Sequence, residues 1–220
     1  SGWQATRIAR LNAVRGLLRE FGVVIPVGAR HVLPQLNEQL TRCPEQIPEV
    51  LHSVLLEMAE EIRELERRIA RVEACLAHQS RQLPETARLR TIPGIGPLTA
   101  TALVAFVGDI QRFGSSRHFA SFLGLTPSEH SSGLRRHLGR ISKRGDTYLR
   151  TLLIHGARAV LWAAKKRQAP DRLPAWAVSL QATRGHNKAA VALANKLARI
   201  AWAVWRRDTS FSARPIPQPA

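Results

Sequence analysis

The chain has 220 residues, with 33 Lys and Arg against 16 Asp and Glu for a formal net charge of +17, and its pI is near 11.6. At 45% hydrophobic it can bury a real core, which excludes a disordered basic tail. It has no apolar run of the roughly eighteen residues that a spanning helix needs. A chain this basic finds polyanions, because each Lys or Arg laid on a phosphate releases condensed counterions.

Ala, Leu and Arg dominate and alternating Val, Ile and Thr are scarce, so the predicted fold is all-α. Ser1-Gly2-Trp3-Gln4 carries neither an initiator Met nor a signal-peptide layout, and reads as the interior of a longer gene or as a fragment. Residues 4–21 predict a basic helix, with Ile8, Leu11, Val14 and Leu18 at helical spacing and Gly22 as its C-terminal cap. Residues 23–48 contain Pro26, Gly28, Pro34, Pro44 and Pro48, a linker composition with room for one short helix over 33–41. Cys43 and Cys75 stand alone, so both are expected to be reduced thiols of a cytoplasmic protein.

Leu51, Leu55, Met58, Ile62, Leu65, Ile69, Val72 and Leu76 are spaced alternately by four and three, the 3.5-residue period of a coiled coil. One helix cannot bury such a seam against itself. The partner is a second copy of residues 51–76, the favoured homo-oligomer, or the 4–21 helix of the same chain. Pro84 ends this helix. Shorter helices are predicted over 116–124, 147–167 (capped by Asp146), 174–182 and 188–207 (opened by Asn187), with a polar loop at 125–146 and a disordered, proline-bearing tail at 209–220. The domain organisation expected is a helical, coiled-coil region over 1–86, a compact helical domain over 87–208, and the tail.

Ile92-Pro93-Gly94-Ile95-Gly96-Pro97 lies between two helical stretches. In a helix-hairpin-helix this hydrophobic-Pro-Gly-hydrophobic-Gly turn lets the backbone approach a strand, and the N–H groups of Gly94, Gly96 and the next helix, including Thr99, hold a phosphate. Such contacts position a duplex without reading bases. The competing reading is a tight helix–helix turn with no ligand.

Residues 112–167 hold twelve Lys or Arg and two acids, Glu129 and Asp146. Arg135, Arg136, Arg140, Lys143, Arg144 and Arg150 crowd around Ser131-Ser132-Gly133. Arginine forks bind phosphate oxygens and can stabilise a pentacoordinate phosphorus. A serine among them can attack a phosphodiester and conserve its bond energy in a phosphoserine link. Equally, the loop can be a solvated basic surface that only holds DNA. His130 and His137 flank the serines, and either can serve as a base. Neither has the Cys or acidic companions of a zinc site.

The string from Ile92 to Leu103, Phe113, Gly124-Leu125-Thr126-Pro127, Ser131-Ser132-Gly133, Ile141-Ser142-Lys143-Arg144-Gly145-Asp146 and Leu149-Arg150 resembles the C-terminal domain of Piv-type DNA invertases and of the related insertion-sequence transposases that are guided by a bridge RNA. The resemblance spans nearly the whole chain. It implies DNA transposition or site-specific recombination through a nucleophilic serine before a glycine, here Ser132 with Ser131 as the fallback. Gly94, Gly96, Thr99, Arg135, Arg136, Arg140, Lys143, Arg144 and Arg150 would hold DNA, and a guide RNA is a further candidate partner. The resemblance also implies an N-terminal acidic domain with a metal site that this sequence does not contain. Mg²⁺ is therefore expected there, and neither a metal nor a cofactor is expected in this chain. The alternative function is a non-catalytic helix-hairpin-helix module, and a weaker one is an RNA-binding scaffold. No membrane partner is expected.

Overall fold

A computed structural model describes residues 2–42, 44–133, 135, 137–164 and 171–212. Two sequence-predicted residues, Cys43 and Arg136, lie outside the described residues. The chain divides into two compact units, residues 1–75 and 76–220, each with its own hydrophobic core. The division falls inside the third helix, N-terminal to the boundary at 86 suggested by Pro84.

The first unit contains α1 (Gly2–Glu20), α2 (Val32–Arg42) and most of α3 (Glu49–Gln82). Gly22 takes φ +77 where α1 ends, as a helix stop requires. Leu11, Val14 and Leu18 form one stripe of α1 and join Leu36 of α2 and Leu55, Ala59 and Ile62 of α3 in a single core. Arg7 to Glu66 and Arg10 to Glu61, each at 2.5 Å, pair α1 with α3. The helix of the same chain therefore covers the seam as far as Leu65. Further along, Ile69 is half-buried and Val72 is 43% exposed, leaving only the far end of 51–76 available to another copy. Cys75 is an exposed free thiol.

The second unit contains α4 (Pro84–Leu89), α5 (Pro97–Val107), α6 (Ser116–Phe122), β1 (Pro127–Glu129), β2 (Leu138–Ile141), α7 (Thr147–Ala164), α8 (Arg172–Arg184) and α9 (His186–Arg206). Helix α9 is its axis. Ala189, Ala190, Ala194, Ala198 and Ala201 are buried on α9, and these small side chains let α6, α7 and α8 all approach it. Leu193, Leu197 and Val204 fill the spaces between.

The fold is helical, as expected, with one local departure. Residues 125–146 are not a loop throughout, because β1 and β2 form an antiparallel hairpin with a register shift between Pro127 and Glu129. Its residues are exposed or half-exposed on both faces, so no apolar alternation marked it in the sequence. The tail also departs in part. Phe211 donates its N–H to Thr91 Oγ1 at 2.8 Å and packs on the core, so residues 209–212 are anchored. Residues 213–220 of that predicted tail and 165–167 of the helix predicted over 147–167 lie outside the described residues. The last helix begins at His186 after Gly185 (φ 82), so Asn187 sits within its first turn and does not cap it. Among the described residues no helix is long and apolar enough to cross a membrane.

Candidate nucleic-acid interface

The hairpin is fastened at its base by a knot of glycine backbone and one buried arginine. Gly124 turns the chain out of α6 at φ +66. A Cβ on Gly145 would lie 2.1 Å from the Phe122 carbonyl oxygen, and one on Gly124 would lie 2.9 Å from the Gly145 nitrogen, so the two strands meet backbone to backbone. Arg150, 8% exposed, reaches beneath them. Its Nη1 donates to the carbonyls of Leu123 (3.3 Å), Lys143 (3.2 Å) and Gly145 (3.2 Å), and its Nη2 donates to Thr147 Oγ1 at 3.0 Å. Arg150 was expected to contact a strand. Its guanidinium is instead occupied within the protein, where five donors in a rigid plane suit a cluster of carbonyls. Lys143 is held at φ 56, uncommon for a side-chain-bearing residue, with its N–H on the Gly124 carbonyl and its ammonium outward. Asp146 caps α7 through the Leu149 N–H at 2.7 Å.

At the hairpin tip, Ser132 and Arg135 exchange both backbone hydrogen bonds, at 3.3 and 3.2 Å, and both residues are exposed. Among the described residues the Ser132 hydroxyl makes no hydrogen bond. Ser131 is tied down: its hydroxyl donates to Glu129 Oε1 (2.8 Å) and accepts from the His137 N–H (3.1 Å). The His130 N–H donates to the His137 carbonyl at 2.9 Å, which sets both histidines next to the serines. Arg140 and Arg144 are exposed beside the hairpin, with Lys143.

The 92–97 turn joins α4 to α5 and rests on α7. A Cβ on Gly156 of α7 would stand 2.0 Å from the Gly94 carbonyl oxygen, and one on Gly94 (φ +86) would stand 2.7 Å from the Gly156 oxygen. The protein behind Gly94 thus leaves no room for a side chain. Thr99 is 7% exposed, so its side chain is turned into the protein. What faces solvent is exposed Gly96 and the first N–H groups of α5, which have no carbonyl partner within the helix.

Sequence reasoning did not find the groove between the hairpin base and α9. It encloses about 1430 Å³, with Leu125, Pro127 and Ile141 on one wall, Val191 and Ala192 on the other, and Trp176 of α8 and Ile200 at one end. Arg140, Lys188, Lys196 and Arg199 are its charged residues, and among the described residues no acid lines it. Lys196 Nζ lies 4.0 Å from the centroid of the Trp176 ring. Burial pushes the Lys196 ammonium below its ordinary pKa, and the nearby charges of Arg172 and Arg199 add to this. The charged face of α9 was visible in the sequence. The apolar wall opposite belongs to the hairpin, which was not.

Residues 86–172 match the model of the transposase IS116/IS110/IS902 family. That match is a similarity of this stretch to the family and spans about 40% of the chain. The chain is 45% identical over 207 residues to a probable family 20 transposase of Pseudomonas aeruginosa, covering 93% of this chain and 60% of that protein. It is 38% identical over 213 residues to the transposase for insertion sequence element IS1111A of Coxiella burnetii, covering 94% and 56%. A pilin gene-inverting protein of Moraxella lacunata is 34% identical over 131 residues, 57% of this chain and 38% of that protein. The chain thus spans little more than half the length of the two transposases.

The matched stretch contains all the sequence-predicted site residues; Ser132 and Arg135 lie at the hairpin tip, Arg140 on the groove, and Gly94 and Gly96 on the turn. Asp146 caps α7, Asp109 accepts the Gln111 N–H at 2.8 Å, and among the described residues no three His, Cys, Asp or Glu side chains are grouped to hold an ion. No step is therefore assigned to Mg²⁺ in this chain.

Proposed function

We propose that this chain is the strand-cleaving and DNA-holding part of an insertion-sequence transposase, acting on bacterial DNA in the cytoplasm through Ser132. One observation carries the reading: in a stretch similar to a transposase family, an exposed serine hydroxyl, with no hydrogen bond among the described residues, sits at the tip of an arginine-bearing hairpin that is fastened by its base. The Ser132 oxygen attacks phosphorus, the bond to one deoxyribose oxygen breaks, and a serine–phosphate ester forms. The serine proton passes to a base, with His130 and His137, which flank the serines, as the candidates. The departing deoxyribose oxygen takes up a proton from the protonated base or from water and leaves as a hydroxyl, and its return attack, with the proton transfers reversed, regenerates serine and phosphodiester without a nucleotide cofactor. Arg135, Arg140, Lys143 and Arg144 offset the charge that develops on the phosphate oxygens. Gly96 and the start of α5 hold a flanking phosphate by their N–H groups.

Ser131 is the alternative nucleophile, favoured by its hydrogen bond to Glu129, a carboxylate placed to take its proton. Self-association through the open end of α3, near Val72, and a guide RNA on the basic surface belong to the same reading.

The test is incubation of the full chain with nicked and branched DNA, followed by denaturing electrophoresis and digestion to a phosphoserine peptide. A covalent adduct lost in Ser132→Ala and kept in Ser131→Ala supports the proposal, and the reverse pattern transfers the role to Ser131. Retention of DNA with no adduct from the wild-type chain reduces the function to that of a binding module.

A further inference from the structure

The groove beneath the hairpin joins two features that do not suit each other in water. Its walls are apolar and half-open. Its charged lining residues, Arg140, Lys188, Lys196 and Arg199, are all cations, and burial, with the charges of Arg172 and Arg199 added, disfavours the protonated form of Lys196. A solvated surface gains nothing from this arrangement, and among the lining residues no carboxylate relieves it. A duplex would satisfy only the cations, because its bases are stacked inward and its phosphate ridges are hydrophilic. A single strand satisfies both, since its phosphates lie on ammonium and guanidinium groups while its unstacked bases take an apolar or aromatic surface.

We infer that this groove holds an unpaired stretch of DNA strand. The phosphates run past Lys188, Lys196, Arg199 and Arg140, and a base lies in the space by Trp176 and Ile200. Lys196, now over the Trp176 ring, exchanges that contact for a phosphate as the strand arrives. The inference rests on the proposed role in DNA cleavage and adds the form of the substrate: strands separated next to the scissile bond. The geometry supports that location, because Pro127, Gly139, Arg140 and Ile141, which line the groove, are the base of the ribbon whose tip carries Ser132.

The test uses the full chain, fluorescently labelled oligothymidylate, a duplex of equal length and oligouridylate, with equilibrium anisotropy over a salt series. Trp176→Ala is expected to weaken oligothymidylate binding roughly tenfold while changing duplex binding by less than about twofold. Lys196→Met keeps an apolar stem on the Trp176 ring and removes the charge. It is expected to make the single-strand salt dependence shallower by about 0.7 in log–log slope, a change that Trp176→Ala does not produce. Single-strand binding untouched by both variants, or equal losses on duplex and single strand, overturns the inference, as does tighter binding of oligouridylate than of oligothymidylate. Should the wild-type chain form its adduct with nicked DNA and yet show one of these results, the groove assignment alone falls. Should it bind neither DNA, the proposed function falls with it.

Discussion

Replacing Gly156 with alanine sets two effects of opposite sign against each other. Gly156 lies within α7, where Gly→Ala ordinarily stabilises a helix by about 1 kcal/mol. The new Cβ would stand 2.0 Å from the Gly94 oxygen and 3.0 Å from the Gly94 carbonyl carbon. The obstacle is backbone and has no rotamer to change, and Val160 crowds the same glycine, since a Cβ on Gly94 would stand 2.8 Å from Val160 Cγ2. Relief requires the 92–97 turn to lift by more than about 1 Å, at the upper end of the roughly 1–3 kcal/mol that overpacking costs. With about 3 kcal/mol against about 1 kcal/mol in favour, the net loss is about 2 kcal/mol. Gly16 of α1 is the control, because nothing lies within 4 Å of its Cβ. Gly16→Ala should gain about 1 kcal/mol. Urea denaturation read by circular dichroism and by tryptophan fluorescence measures both, since Trp162, Trp176, Trp202 and Trp205 report on the second unit and Trp3 on the first. An unchanged or raised midpoint for Gly156→Ala would refute the close approach. Equal losses at positions 16 and 156 would show that helical glycines here are replaced with the same penalty whatever surrounds them.

Three other expectations follow from the same geometry. Arg150→Lys keeps a charge but loses the planar fork over Leu123, Lys143, Gly145 and Thr147, and should destabilise the second unit by about 2–4 kcal/mol and diminish adduct formation at temperatures where the chain is still folded; full activity would show that the knot does not position the hairpin. Lys196 has a folded pKa below its unfolded value near 10.4, so between the two values the unfolded chain binds more protons and stability rises with pH. Urea midpoints should therefore climb as pH rises through the folded pKa toward about 10.4, and Lys196→Met should flatten that climb; the same climb in the variant would assign it to another group. An isolated two-stranded ribbon is marginal in water, so hydrogen exchange in β1 should be fast in the free chain and slow with nicked DNA bound, whereas protection in β1 without DNA would mean that the hairpin is held by more than its base.

Much of the fold was legible because its signals are local. The period of Leu51 to Leu65, the stop at Gly22, the cap at Asp146 and the break at Gly124 each act through neighbouring residues, and each lies where the sequence put it. The seam showed that α3 needs a partner but not which one, since any apolar stripe of the right period fills it; the choice of α1 is made by Leu11, Val14 and Leu18 across the fold. The hairpin was illegible for a different reason. Its side chains face water, so nothing in its pattern separates a ribbon from a loop. Arg150 reads in sequence like any other arginine of a basic stretch, and its burial follows only from the meeting of Gly124 with Gly145, a contact between residues far apart in the chain. The groove was missed as a consequence of both, because one of its walls is the ribbon.

The geometry also explains why glycines stand where they do and what that does for a strand. Helix α7 begins at the knot below the hairpin and meets the 92–97 turn at Gly156, nine residues later, or about 14 Å along its axis. Both attachments bring backbone against backbone, and the knot is locked further by the buried Arg150 guanidinium. The α5 N–H groups and the base of the serine-bearing ribbon are therefore held at a fixed offset by one helix, while the described ribbon residues beyond the base are exposed. On the proposed function, a phosphate gripped at the turn would fix the register of a strand, and the exposed ribbon would present the hydroxyl to the phosphorus. Precision is needed in the first task and reach in the second, which accounts for close-packed glycines at the attachments and an exposed ribbon at Ser132. By this argument Gly156→Ala, which moves the turn and leaves the knot intact, should shift the position of the adduct along the DNA or blur it, while Arg150→Lys, which loosens the knot, should reduce its yield without moving it.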